Sequence, residues 1–124
     1  MQHLFSLTIP TLALVLFMGC GQKEIGQVQS PAKAASQMEQ AFANADAETK
    51  QSADAVASAL KASNYEKAYV VLQTVQYRSN LTYEQAMAAR DSMFSLQKQL
   101  AEASLRGDTN AQNVIEMIRR TQPR

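Results

Sequence analysis

Thr82-Tyr83-Glu84-Gln85-Ala86-Met87-Ala88-Ala89-Arg90-Asp91-Ser92-Met93-Phe94-Ser95-Leu96-Gln97-Lys98-Gln99-Leu100-Ala101-Glu102-Ala103-Ser104-Leu105-Arg106-Gly107 decides the fold class, because it holds a start, a period and a stop. Thr82 with Gln85 three residues later is a capping-box signature, in which each side chain satisfies the other's backbone N–H. Ala86, Ala89, Met93, Leu96, Leu100 and Ala103 then recur at intervals of three and four, the spacing of a helical seam. Phe94 and Met87 are expected to widen that face. Glu102 and Arg106 are spaced as a favourable i,i+4 pair on the outside. Gly107-Asp108 reads as a helix stop followed by a new N-cap, so a helix is predicted over 83–106.

Working outward, the chain beyond Gly107 carries Val114, Ile115 and Ile118, which predict a short helix over about 109–120. Towards the N-terminus, Tyr65, Ala68, Tyr69, Leu72 and Val75 share one face of a predicted helix over 65–78, closed by Ser79-Asn80. Ser63-Asn64 separates it from an alanine-rich stretch that opens at Ser30-Pro31, an N-cap followed by Pro at the first helical position. Ala41, Ala43, Ala45 and Ala47 imitate the period of two of a strand, but Ala, Glu, Gln and Lys favour helix over strand. Met38, Phe42, Ala45, Ala53, Val56 and Leu60 fit one stripe, so one long helix is predicted over about 31–62. No strand survives. The predicted fold is all-α, a small antiparallel helical bundle occupying residues 31–124.

Composition bounds what such a bundle can do. In 124 residues there are 12 Lys+Arg against 11 Asp+Glu, well mixed along the chain. That leaves no basic face for nucleic acid and no polybasic cluster for anionic lipid. Trp is absent and alanine inflates the apolar fraction, so the core is expected to be thin. The single cysteine forbids an intramolecular disulfide.

That cysteine lies in the most informative local stretch. Residues from Leu4 to Met18 are almost all apolar, interrupted by Ser6, Thr8, Pro10 and Thr11. A bilayer-spanning helix needs about 20 such residues, whereas this run has the length of the apolar part of an export signal. Val15-Leu16-Phe17-Met18-Gly19-Cys20 resembles the lipobox of bacterial lipoproteins. The resemblance implies that residues 1–19 are a signal peptide, cut before Cys20, and that Cys20 carries the lipid. The sequence departs from the usual pattern in having no Lys or Arg in Met1-Gln2-His3 and Phe17 three before the Cys. An uncleaved anchor, or an N-terminal helix with a fortuitous Cys, is the alternative. Residues 20–30, with two Gly and no sustained period, read as a flexible tether. Gly21 after the Cys resembles an outer-membrane sorting context, so the expected location is the outer membrane, facing the periplasm.

A second, shorter resemblance covers Ser63-Asn64-Tyr65-Glu66-Lys67-Ala68 with Leu72 and Val75, which is similar to the turn and second helix of a tetratricopeptide hairpin. That family's Trp, Leu and Gly in the preceding helix are missing, Ser63 stands where Gly is usual, and no repeat recurs. An ordinary helical hairpin accounts for the same residues.

The chemical inventory is short. His3 is the only histidine, and cleavage before Cys20 removes it while acylation consumes the thiol. Ser-His and Cys-His nucleophilic catalysis and the common transition-metal ligands then go with them. The acids are scattered over predicted solvated faces, so no catalytic residue, cofactor or metal site is expected. All four tyrosines fall between Tyr65 and Tyr83. Tyr65 and Tyr69 supply core bulk, whereas Tyr77 and Tyr83 lie off that face and are the candidate partner-binding residues. The expectation is a lipid-anchored, non-catalytic interaction or spacer domain with an unknown envelope partner. A self-associating helical lipoprotein is the alternative, and a carboxylate-only enzyme ranks behind both.

Overall fold

The computed structural model describes residues 28–123, which form five helices. They are α1 (Pro31–Ala41), α2 (Ala47–Lys61), α3 (Tyr65–Gln76), α4 (Tyr83–Leu105) and α5 (Thr109–Thr121). The expected signal peptide 1–19, Cys20 and all of the expected tether before Val28 lie outside the described residues. Val28–Ser30, the end of that tether, are non-helical, and Gln29 is partly buried.

The caps read from the sequence form as expected. The Ser30 hydroxyl accepts from the Lys33 N–H at 3.3 Å, with Pro31 at the first helical position. The Thr82 hydroxyl accepts from the Gln85 N–H at 3.1 Å while Gln85 Oε1 accepts from the Thr82 N–H at 3.0 Å, completing the capping box. Asp108 accepts from the Ala111 N–H at 3.2 Å and opens α5.

The long helix expected over 31–62 is two helices, α1 and α2, broken at Phe42–Asp46. Asp46 is the cause: its Oδ1 accepts from the Thr49 N–H at 2.9 Å and its Oδ2 from the Thr49 hydroxyl at 2.7 Å. Asp competes with the helical backbone and is far better placed capping a new helix than inside an old one. The alanine pattern runs through the break because Ala suits both sides of it. The break lets α1 pack on both α2 and α4.

α1, α2, α3 and α4 then pack in succession and close into a ring, because α4 returns against α1 as well as α3, and α5 lies across α4 and α3. Glu48 at the start of α2 pairs with Arg78, just past the end of α3, at 2.9 Å, fixing these two as an antiparallel hairpin. Lys61 reaches back to Glu39 of α1 at 2.8 Å. Met38, Phe42, Val56, Leu60, Leu72, Val75, Leu96 and Leu100 supply the bulk of the core, and ten of the other thirteen buried apolar residues among those described are alanine. Alanine lets helices approach closely but contributes little area per residue, so the fold depends on a few large side chains.

Two details of α4 differ from the seam read in the sequence. Ala86 is exposed, and Phe94 is 48% exposed beneath the Arg90 guanidinium, 5.9 Å from its ring centre. In their place Ala88, Ser92 and Ser95 are buried. A helix packed on three neighbours, as α4 is on α1, α3 and α5, buries a wider sector than a single seam, and small side chains admit the additional neighbours. The expected Glu102–Arg106 pair is also absent among the described residues: Arg106 caps α4, and Glu102 lies 3.8 Å from Lys98.

The turns after α2 and α4 are built alike. After α2, the Asn64 N–H donates to Ala59 C=O at 2.9 Å and the Ser63 N–H to Leu60 C=O at 3.3 Å. After α4, the Asp108 N–H donates to Ala103 C=O at 3.0 Å and the Gly107 N–H to Ser104 C=O at 3.0 Å. Both are Schellman motifs, which place one residue in the left-handed region. Gly107 sits there at φ 84° and Ser63 at φ 55°.

Candidate functional site

Among the predicted site residues, Cys20 lies outside the described residues, so the lipid-attachment assignment rests on its sequence context. Tyr77 and Tyr83 are described, and both are exposed, at 85% and 79%. Tyr77 caps the C-terminus of α3 and Tyr83 is the first residue of α4, so a five-residue connection separates them. Tyr65 and Tyr69 are buried in the core, and the Tyr69 hydroxyl accepts from Gln73 Nε2 at 2.6 Å.

The two exposed tyrosines do not converge on one cleft. Tyr83 lines a shallow groove of about 450 Å³ between α1 and α4, with Gln37, Gln40, Glu84, Met87 and Asp91. Tyr77 is not among its lining residues. Gln85 Nε2 ties this end of α4 to Ala41 C=O at 3.3 Å, which fixes one end of the groove.

A better enclosed cleft of about 480 Å³ lies elsewhere, between the α2–α3 turn and α5. Ser63, Asn64, Tyr65 and Glu66 form one wall; Asn110, Asn113, Val114 and Met117 form the other. Positions 110, 113, 114 and 117 share one face of α5 by their spacing. No local pattern in the sequence marks this site, because it is assembled only when α5 folds back onto the start of α3. The available signal was Asn110 with Asn113 on the face that continues into Val114 and Met117, since Asn is a poor helix former and an unusual choice beside a core.

Acid–base chemistry has little to work with among the described residues. No group of three His, Cys, Asp or Glu side chains there could hold a metal ion. The one clearly shifted group is Asp46, whose carboxyl is held below its ordinary 3.8 by the Thr49 hydroxyl and backbone N–H, with Arg78 adding a smaller pull. Its oxygens serve as the cap of α2, a structural task. None of the helices in the described region is long and apolar enough to cross a membrane. No protein-family model, curated protein or solved structure matches the chain.

Proposed function

We propose that this protein is a lipid-anchored cell-envelope protein, held through Cys20, whose helical domain is a non-catalytic interaction or spacer module. The observation that carries the reading is the apolar run ending at Gly19-Cys20. Several acyl chains on one residue would give firm attachment without any charged membrane-binding surface, at about 0.8 kcal/mol per buried methylene. Ten residues, 21–30, separate Cys20 from Pro31, and fully extended they reach at most about 33–36 Å, which sets how far the domain can stand from its anchor. The exposed Tyr77 and Tyr83 are the side chains best suited to meet a protein partner, because aromatic residues concentrate interface energy.

Self-association through the alanine stripes is less well supported. Ala34, Ala35, Ala53, Ala57, Ala68, Ala88, Ala89 and Ala103 are consumed inside the fold, so pairing between copies would have to use other surfaces.

Metabolic labelling with an alkyne fatty acid tests the anchor. Label is expected on the wild-type protein and not on Cys20→Ala, which should accumulate with residues 1–19 still attached. Equal labelling of both proteins would overturn the assignment.

A further inference from the structure

We infer that the cleft between the α2–α3 turn and α5 is a binding site for a neutral saccharide. The cleft is independent of lipid attachment at Cys20. Its volume of about 480 Å³ falls within the range of small-molecule sites. Its lining brings together Asn64, Asn110 and Asn113, Ser63 and Glu66 with the apolar Val114 and Met117.

That set is suited to sugar hydroxyls. Each carboxamide both donates and accepts, as does a serine hydroxyl, while a carboxylate accepts only. Neighbouring hydroxyls on a pyranose need such paired donors and acceptors, and Val114 and Met117 in the lining suit its C–H face. The lining contains no Lys, Arg or His, which disfavours phosphorylated or carboxylated ligands. Tyr65 is buried, so no open aromatic face is offered to a nucleobase.

The side chains are also uncommitted. Along α5 the side-chain hydrogen bonds run through Asp108, Gln112, Glu116, Arg119, Arg120 and Thr121, and among the described residues none involves the side chains of Asn110 or Asn113. Asn64 uses Oδ1 to cap α3 on the Lys67 N–H at 3.3 Å, and that bond leaves its NH₂ to donate elsewhere. Ser63 gives the comparison that Gly107 makes possible. Both occupy the left-handed position of the same turn, but Ser63 does so with a side chain at the rim of the cleft, whereas the space beside Gly107 is open. Ser63, standing where glycine is the easier residue, brings a hydroxyl that the backbone hydrogen bonds of the turn do not use.

The test is a ¹⁵N-NMR titration of the full chain in phosphocholine micelles, a detergent without a sugar headgroup. Maltotriose, tri-N-acetylchitotriose, trialanine amide and glucose 6-phosphate are added separately to about 10 mM, where even a millimolar site fills. At least one of the two neutral oligosaccharides should shift the backbone signals of Ser63–Glu66 and the side-chain amides of Asn110 and Asn113, saturably. Asn110→Ala with Asn113→Ala should abolish those shifts. Ser63→Gly, which relieves strain and therefore folds, should weaken binding about two- to tenfold, the loss of one hydrogen bond. The proposal is overturned if neither oligosaccharide shifts these signals, if only the peptide or the phosphate does, or if Ser63→Gly binds as tightly as the native chain.

Discussion

Exchanging the residues of the two Schellman turns measures the strain at Ser63 directly. The left-handed conformation costs a residue with a Cβ roughly 1–2 kcal/mol. Replacing Ser63 by Gly removes that cost but widens the unfolded ensemble, which takes back about 0.4–1 kcal/mol. A net stabilisation of about 0.5–1 kcal/mol is expected for Ser63→Gly, or about 2–8 °C in melting temperature for a domain of this size. Gly107→Ser is the mirror experiment. A Cβ there would meet no atom within 4 Å, so only the backbone term operates and a loss of similar size is expected. Urea unfolding of the full chain, followed by circular dichroism at 222 nm, reads both variants, and an unchanged denaturant slope would show that the unfolded state was not otherwise altered. A destabilised Ser63→Gly would refute the reasoning, since it would mean that the Ser63 side chain makes contacts worth more than the strain it imposes. A neutral Gly107→Ser would refute it from the other side.

Other perturbations probe the core and the caps by the same measurement. Leu96→Ala removes a fully buried side chain from a core short of large residues; a loss of about 2–5 kcal/mol is expected, most of the stability of a domain this small. Ser92→Ala should do the opposite: Ser92 is 0% exposed with no partner for its hydroxyl, so deleting that oxygen and improving helix propensity should add about 1–2 kcal/mol. Asp46 sets part of the acid sensitivity. Its folded carboxyl titrates below the ordinary 3.8, so its contribution is complete above that value and is lost as pH falls through the lower, folded one. Asp46→Asn keeps a cap acceptor without a titrating proton and should flatten the acid limb of the stability profile; an identical slope in both proteins would show that other groups govern it.

Much of the fold was legible because its signals are local. Thr82 and Gln85 cap each other within one turn, and Gly107-Asp108 stops one helix and starts the next without help from elsewhere. Tyr65, Ala68, Tyr69, Leu72 and Val75 all point inward because α3 buries one narrow face. The break between α1 and α2 was equally local but masked: Asp46 with Thr49 is a cap, yet alanine on both sides kept the helical pattern continuous across it. The face of α4 was a different kind of miss. Whether Phe94 or Ser95 is buried depends on all the helices that α4 touches, and a seam drawn for one neighbour does not describe a helix packed on three. Ser92 and Ser95 have no place in a seam drawn through the larger apolar residues, whereas their small volume is what a crowded helix contact needs.

The two candidate functions sit on opposite sides of that boundary. The proposed lipid attachment at Cys20 is a reading of residue order alone and calls on no folded neighbour. The cleft is illegible for the converse reason: Ser63 and Asn113 are fifty residues apart and meet only because α5 folds back across the end of α4. One residue links both scales. In the sequence, Ser63 registers only as a departure from the glycine of a helical hairpin. In the fold it is a strained residue beside an open polar cleft, while Gly107 shows that the same turn forms without a side chain. A substitution that stabilises the fold and weakens a ligand would identify Ser63 as a binding residue; one that stabilises the fold and changes nothing else would mark it as strain the fold merely tolerates.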